Sequence, residues 1–293
     1  MKNARRIIAS RLSCRAFNGE PLVAEHRELL TSWIAKPLAG PLGTAVRVVE
    51  VENNPTLNAD LEERCSYGSV HGAPSLLVPV MPRERHAMED VGAIVERLLL
   101  ELEGSGIGSC WFVGNFAGGA IEREVAPQSK SVLPAVIPIG YRATRRTASD
   151  SAIRFSVGSR KRKRWSELFF EIEFWDDEQR PNTSPTPLSP AEAPDIEEML
   201  EAVRLAPSTS NNQPWRIYRY TTDSGPDRLH LCLKRNPGMD KVIRDVDVQK
   251  IDAGVAMAHF RAVAEEIGMS GAWVYDKPAY LPHGLEYVAS WRE

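Results

Sequence analysis

Three polar clusters in the sequence could carry binding chemistry, and the first lies near the N-terminus. Arg11, Ser13 and Arg15 alternate with Leu12 and Cys14, so an extended segment would place the three polar side chains on one face. Two guanidinium groups and a hydroxyl on one face could bind a phosphate and an electron-rich ring edge. A solvated basic patch is the alternative interpretation.

The other two clusters are a basic run and a polar loop. Residues 160–164 (RKRKR) end at Trp165, and such runs usually lie on the surface, although a formal net charge of −3 makes this one conspicuous. Residues 207–215 (PSTSNNQPW) follow an amphipathic helix. Their small side chains and exposed amides could hydrogen-bond a planar heterocycle. A long connecting loop is the alternative.

Several other site types are excluded by the motifs. The six histidines form no H-E-x-x-H pattern, and no serine stands in G-x-S-x-G. Residues 104–108 (GSGIG) lack the third glycine of a dinucleotide loop and predict a helix stop and a tight turn. The four cysteines are Cys14, Cys65, Cys110 and Cys232, and no metal-ligand spacing joins them. We therefore expect no metal site, no catalytic side-chain nucleophile and reduced thiols.

Composition limits the partners. The 293 residues carry 36 basic and 39 acidic side chains, so no global positive field attracts nucleic acid or an anionic membrane. No apolar run approaches the roughly 20 residues of a membrane span. The first ten residues (MKNARRIIAS) lack the apolar core of a secretory signal, so we expect a cytoplasmic protein.

A repeat in the sequence supplies the elements that would position these clusters. Residues 90–111 (DVGAIVERLLLELEGSGIGSCW) align without a gap on 252–273 (DAGVAMAHFRAVAEEIGMSGAW), with the same Asp-to-Trp spacing. Apolar residues recur at helical spacing after each aspartate, and Gly106 and Gly268 supply helix stop signals. Chance similarity between two amphipathic helices is the alternative to duplication.

A looser correspondence extends the repeat. A helix over 25–34 and a strand over 45–51 match a helix over 196–205 and a strand over 215–220, which makes about two copies of one module. The Pro-rich, polar stretch 176–190 predicts a linker. We therefore predict a first module over 1–175, a linker over 176–190 and a second module over 191–293.

The motifs resemble those of a known family. APSTSNNQPW resembles the A-P-S-S-x-N-x-Q-P-W motif of the FMN-dependent nitroreductases, and RLSCRAF resembles their N-terminal R-x-S-x-[KR]-x-F. PIGY at 138–141 and KRKRW at 161–165 resemble their closing segment. The resemblance implies an α+β nitroreductase-like fold. The arrangement is similar to a branch in which two such modules are fused in tandem and pack as an intramolecular pseudo-dimer.

The resemblance also implies one composite FMN site. In the ordinary family homodimer, FMN lies in the subunit interface. Here the first copy keeps the R-x-S-x-R set, but residues 36–43 (KPLAGPLG) replace its loop; the second copy keeps the loop without the arginines. We therefore expect one site between the modules, an empty pseudo-symmetric site, and a monomer. The implied cofactor-binding residues are Arg11, Ser13, Arg162 and Arg164 for the phosphate, Arg15 at the flavin edge, Pro207, Ser208, Thr209 and Asn211 from the other module, and Val113 and Gly114 in the turn over the ring.

The function implied by the resemblance is a nitroreductase-type oxidoreductase. Hydride would pass from NAD(P)H through the flavin N5 to a nitroaromatic, a quinone or an unknown acceptor. Catalysis would need no acid–base side chain. Many family members carry P-x-E-G in the turn where this chain has Trp111 and Val113. That departure motivates the alternative, a catalytically silent protein that binds, stores or senses a flavin. A structural protein without a ligand is a third interpretation.

Overall fold

In the described part of the chain, helices pack against two six-stranded β-sheets. The structure is a computed structural model, and it describes residues 1–64, 70–125, 130–144, 161–174, 181–222, 227–238, 243 and 245–293. Helices and strands are interspersed along each half of the chain, and this mixed helix and sheet content agrees with the predicted α+β class.

The first sheet has the strand order β1-β2-β3-β6-β4, and β5 also pairs with β6. All of its described strand pairs are antiparallel. The middle strand β3 (SLLVPV) is buried throughout, as expected for a strand covered on both faces. The strands are β1 Leu38–Ala39, β2 Ala45–Glu52, β3 Ser75–Val80, β4 Ile107–Ser109, β5 Phe112–Val113 and β6 Ala135–Tyr141, and the helices are α1 Ala4–Ser10, α2 Ala24–Ile34, α3 Pro55–Arg64, α4 Ala87–Gly104 and α5 Ala120–Val125.

The second sheet has the order β11-β12-β10-β9-β7-β8. Among its described pairs, β7 and β9 run parallel and the others antiparallel. The strands are β7 Phe169–Phe174, β8 Thr186–Pro187, β9 Trp215–Thr222, β10 Arg228–Leu233, β11 Ala272–Val274 and β12 Glu286–Arg292, and the helices are α6 Trp165–Leu168, α7 Glu197–Leu205 and α8 Val248–Ile267.

The two long helices α4 and α8 cross at two glycines. A Cβ added at Gly92 would lie 2.1 Å from Ile251 O, and one added at Gly254 would lie 1.9 Å from Glu89 O. Gly92 and Gly254 each lie two positions after the aspartate of their repeated segment. The contacted carbonyls, of Glu89 and Ile251, each belong to the residue directly before that aspartate. The crossing therefore joins equivalent positions of the two segments, and only glycine permits so close an approach.

The elements predicted from the repeat are present in the structure. Both long helices, the two shorter helices and the two following strands occur within a few residues of their predicted bounds. Gly106 and Gly268 have φ values of 80° and 78°, in the left-handed region; Gly268 directly follows α8, and Gly106 follows α4 after Ser105. Their prediction as helix stops is confirmed.

The sheet pairing crosses the predicted module boundary. Strand β7 lies within 1–175 but pairs with β9 in the second sheet, and Ala4 and Ile8 of α1 belong to the core of that second sheet. In the predicted linker, residues 176–180 lie outside the described part, while β8 occupies 186–187. The described part of that linker is thus partly β-strand, in contrast to the irregular structure predicted there.

The cysteines that the structure describes lie in buried parts of the fold. Cys14, Cys110 and Cys232 are buried thiols, and Cys65 lies outside the described residues. Burial raises the pKa of the Cys232 thiol well above its usual range.

Across the described ranges, no helix combines the length and the apolar character needed to cross a membrane. The same ranges hold no group of three or more side chains suited to a metal ion.

Candidate functional site

One cavity brings most of the predicted binding residues together. It encloses about 970 Å³, part of which is open solvent, and it lies between the segment after α1, the turn after β4, the loop after α7 and the first turns of α8. All of the predicted site residues except Gly114 and Arg164 line it. The lining is Arg11, Leu12, Ser13, Arg15, Cys110, Trp111, Val113, Arg162, Pro207, Ser208, Thr209, Ser210, Asn211, Ile251, Asp252 and Val255.

The N-terminal cluster is extended, as the alternation predicts. Ser13 bridges in parallel to Ser109, and Cys14 N donates to Ser109 O at 2.8 Å, which fixes the segment beside β4. The alternation is not strict, because Leu12 also lines the cavity. The Arg15 guanidinium lies 6.0 Å from the centroid of the Phe112 ring, and the arginine side chain is buried. The side chains are thus held inside the fold, which contradicts the alternative of a solvated patch.

Arg11 is buried against the central helix α4. Its side chain is 5% exposed, and its Nε lies 2.9 Å from Oε1 of Glu96, whose side chain is fully buried. Arg11 Nη2 is buried and has no hydrogen-bond partner among the described residues. A buried guanidinium donor without an acceptor is costly, so its presence at a cavity wall is typical of a site for an anionic or polar ligand.

Glu96 holds three side chains from separate parts of the chain. Trp111 Nε1 donates to Glu96 Oε2 at 2.7 Å, and His259 Nε2 lies 2.9 Å from Oε1. Burial alone would raise the pKa of Glu96, but the positive charge of Arg11 and the contacts of His259 and Trp111 lower it below its usual range. The carboxylate therefore stays ionised and fixes Arg11 at the cavity. Sequence reasoning missed Glu96 and His259; a carboxylate within an apolar helix was the available signal.

The polar loop after α7 adopts an uncommon backbone. Ser210, Asn211 and Gln213 have φ values of 50°, 55° and 47°, which L-residues rarely adopt. Hydrogen bonds hold this conformation: Gln213 N donates to Ser208 Oγ at 2.8 Å, and Gln213 Nε2 donates to Asn211 O at 3.0 Å. Such over-determined strain is typical of functional loops and not of simple connections. Pro207, Ser208, Thr209 and Asn211 line the cavity as predicted.

The basic run binds this loop. Arg162 Nη2 donates to Leu205 O at 3.0 Å and Arg162 Nη1 to Asn211 Oδ1 at 3.2 Å. Lys163 Nζ donates to Asn212 O at 2.7 Å, and burial lowers the pKa of Lys163 to about 8. Arg162 lines the cavity, and burial lowers its pKa as well. The residues 161–163 therefore join the two polar clusters that the sequence showed separately.

Two predicted site residues lie away from the cavity wall. Arg164 stands at the N-terminus of α6, where its backbone N–H donates to Glu167 Oε2 at 2.8 Å. Gly114 N donates to Pro134 O at 3.0 Å, next to Val113, which does line the cavity. Arg160, the first residue of the basic run, lies outside the described residues.

Asp252 is a cavity residue that the sequence indicated only as a helix start. It is 3% exposed, and its Oδ1 accepts from Thr209 N at 2.9 Å and Thr209 Oγ1 at 3.1 Å. Its Oδ2 is buried without a hydrogen-bond partner among the described residues. Burial, reinforced by the charge of Asp247, raises the pKa of Asp252 to about 7 even though Thr209 opposes the shift.

A second depression is lined by residues that the repeat alignment pairs with residues of the cavity. Trp273 aligns with Trp111, Ala93 aligns with Val255, and Ala258 aligns with Glu96. Its charged side chains pair with one another, with Arg97 Nη1 2.6 Å and Arg261 Nε 3.0 Å from Glu265. The lining is Ala39, Pro41, Ala93, Ile94, Arg97, Met257, Ala258, Arg261, Glu265 and Trp273.

Comparisons with known proteins give a family and a similar fold. The model of a family described as "Putative TM nitroreductase" matches residues 3–264. The crystal structure of a putative nitroreductase from Thermotoga maritima is 18% identical, and the alignment covers 99% of this chain and 92% of that chain with a TM-score of 0.56. A Bacteroides fragilis nitroreductase with bound FMN is 18% identical over 50% of this chain and 92% of that chain, with a TM-score of 0.38. A comparison with curated proteins gave no match.

Proposed function

Because the chain belongs to the putative TM nitroreductase family, we propose that it is an FMN-dependent oxidoreductase that reduces nitroaromatics, quinones or a related acceptor with NAD(P)H. The observation that carries this proposal is the single cavity in which Arg11, the residues near 13–15, Arg162 and the loop 207–211 meet. These three segments, 11–15, 162 and 207–211, are distant in sequence and converge on one site, which a purely structural protein would not require.

The donor set fits a flavin mononucleotide. Arg11 presents a buried Nη2 that has no acceptor among the described residues, which suits a phosphate or a ring carbonyl. Arg15 and Arg162 add two cationic side chains to the same cavity, and Ser208 and Thr209 add small hydroxyls. Cationic side chains and hydroxyls together match a ligand with a dianionic phosphate, a polyhydroxyl chain and a polar ring edge.

When bound, FMN would supply the hydride chemistry: it accepts hydride from a nicotinamide and passes it to the acceptor. The protein would bind and orient the reactants. Trp111 and Val113 would form an apolar wall, and the Glu96 carboxylate would hold both Arg11 and Trp111 in position. Arg15 would place a positive charge near the ring, which favours the anionic reduced flavin.

We further propose that the two halves are duplicated modules packed as a pseudo-dimer with one functional site. The glycine crossing joins equivalent positions of α4 and α8, and both arginines that line the second depression, Arg97 and Arg261, are paired with Glu265. A site completed within one chain needs no second copy, so the proposed oligomeric state is a monomer, which sedimentation velocity can test.

Flavin binding is the first test. The purified protein should be yellow or should acquire a flavin spectrum on titration with FMN, and Arg15→Ala should weaken FMN binding. Each charge-assisted hydrogen bond contributes about 1.5–3 kcal/mol, so the loss should be roughly 10- to 150-fold. Arg261→Ala, which removes an arginine from the second depression, should leave FMN binding unchanged. A protein that gains no visible spectrum with excess FMN contradicts the proposal.

Turnover separates the enzyme from a flavin-binding protein without catalysis. Anaerobic addition of NADH or NADPH should bleach the oxidised flavin, and a nitroaromatic or a quinone should restore it. The Trp111 and Val113 wall favours the second candidate, because the family's common P-x-E-G turn is absent there. Tight FMN binding without bleaching by either nicotinamide, and without acceptor reduction after dithionite, would support storage or sensing instead.

A further inference from the structure

The aspartates that begin the two repeated segments have different environments. In the first copy, Asp90 Oδ1 accepts from Leu42 N at 2.8 Å and Oδ2 accepts from Thr44 N at 2.7 Å. In the second copy, Asp252 Oδ1 takes both bonds from Thr209, and Oδ2 has no hydrogen-bond partner among the described residues. Equivalent residues therefore differ in one oxygen, and the unsatisfied oxygen belongs to the carboxyl that lines the cavity.

We propose that Asp252 is a ligand-binding residue that donates a hydrogen bond from a protonated Oδ2 to an acceptor atom of the bound flavin. This inference rests on the flavin site proposed above. The isoalloxazine ring offers several carbonyl and ring-nitrogen acceptors, whereas a carboxylate could only accept a hydrogen bond. A buried carboxyl oxygen without a protein partner is destabilising unless a ligand satisfies it, which gives the unpaired oxygen a function.

The electrostatics support a proton on this carboxyl near neutral pH. Burial raises the pKa of Asp252 to about 7, so the acid form is well populated in that range. Asp247 at the start of α8 adds to the shift. Other charged groups around this end of α8 include Arg11, Arg15 and Arg162 on the cavity wall. Asp247 pairs with Arg235 at 2.7 Å, and Lys250 pairs with Glu89 of α4 at 3.4 Å and with Glu286 at 3.7 Å.

The proposal predicts a pH dependence of flavin binding that disappears in one variant. Titrations of flavin fluorescence between about pH 5.5 and 8.5 should show the wild-type Kd for riboflavin rising as pH increases through about 7. The rise should be roughly three- to tenfold, as expected for one lost hydrogen bond. Asp252→Asn keeps an acceptor for Thr209 and a permanent donor, so its Kd should not change through the same range.

Matched controls separate this effect from general electrostatics. Riboflavin lacks the phosphate, whose own ionisation falls in this range, so the profiles of riboflavin and FMN should share only the Asp252 step. Asp90→Asn alters the equivalent aspartate away from the cavity and should keep the wild-type pH profile. Thr209→Val removes a hydrogen bond that stabilises the Asp252 carboxylate and should move the midpoint to higher pH.

Two results would overturn the inference. An Asp252→Asn protein with the wild-type pH profile, or a Thr209→Val midpoint that does not move, means that Asp252 does not donate to the flavin, while FMN binding itself would stand. Circular dichroism should establish that each variant is folded before titration; if Asp252→Asn is unfolded, the Thr209→Val midpoint decides. Failure of the wild type to bind either flavin would instead refute the proposed function, and the inference with it.

Discussion

The crossing of α4 and α8 allows a quantitative test of the proposed two-fold packing. Replacing Gly92 or Gly254 by alanine introduces a methyl group 2.1 Å from Ile251 O or 1.9 Å from Glu89 O. A methyl carbon needs about 3.3 Å from a carbonyl oxygen, so the helices must separate by about 1.2 Å or more. Both contacted atoms are backbone, and neither can rotate away.

The cost follows from two opposing effects. Overpacking of a close interface destabilises by about 1–3 kcal/mol, and sometimes by more. Alanine improves helix propensity by about 1 kcal/mol over glycine. Because the separation spreads along two long buried helices, we expect an overpacking cost of about 3 kcal/mol. The gain in helix propensity reduces this to a net loss of about 2 kcal/mol for each variant. For a chain of 293 residues that corresponds to a fall in Tm of about 3–4 °C.

Thermal and urea unfolding measure this loss, and Gly104→Ala is the matched control. Gly104 ends the same helix, and a Cβ there would meet only the mobile Cδ1 of Ile7 at 3.0 Å. The control should be as stable as the wild type or slightly more stable. The Gly92→Ala/Gly254→Ala double variant should lose less than the sum of the single losses, because one separation relieves both clashes.

A free energy of unfolding within about 0.5 kcal/mol of the wild-type value, in either single variant, would contradict the close crossing. A large loss at Gly92 with none at Gly254 would leave the close crossing in place but contradict its two-fold character. Flavin binding gives a second measurement, since Ile251, Asp252 and Val255 of α8 line the cavity. A displaced α8 should raise the Kd for FMN in both variants, while Gly104→Ala leaves it unchanged.

Two further predictions concern buried charges. Glu96→Ala should destabilise the fold by about 3–5 kcal/mol in urea unfolding, because Arg11 and His259 lose their carboxylate partner, and Glu96→Gln should lose less. Lys163 has its pKa lowered to about 8 by burial, below the ordinary 10.5, so the unfolded chain binds more protons between these values. The wild type should therefore gain unfolding free energy over that pH range relative to Lys163→Met; parallel stability profiles of the two proteins would refute this.

The regular elements could be predicted because their signals are local. The apolar spacing and the glycine stop of α4 and α8 lie within each repeated segment, and the structure follows them. The helices begin before the two aspartates, at Ala87 and Val248, and Asp252 lies beyond the first turn of α8. Local signals also indicated the extended N-terminal cluster and the cavity-lining loop, whose glycine-free sequence nevertheless adopts three positive φ values. Spacing indicated the extended N-terminal cluster, whereas the loop was indicated by its residue types and by the family resemblance.

The remaining features depend on contacts between distant segments. The parallel pairing of β7 with β9 joins strands on either side of the predicted linker, and no periodicity marks it. The hydrogen bonds of Arg162 to the loop after α7 likewise join residues more than forty positions apart. Arg164, two residues further along, lies at the start of α6 instead. The sequence of a basic run does not indicate which of its arginines will line a cavity.

The differences between the two aligned segments are more informative than their similarities. Asp90 uses both carboxylate oxygens to hold its own loop, whereas Asp252 uses one and keeps the other for the cavity. Glu96, which fixes Arg11, has Ala258 at the equivalent position, where the second depression has internally paired charges instead. If one site alone binds ligand, substitutions at the unused site carry no functional cost. Under the proposed duplication, the two segments can then diverge until one keeps the binding groups and the other keeps only packing.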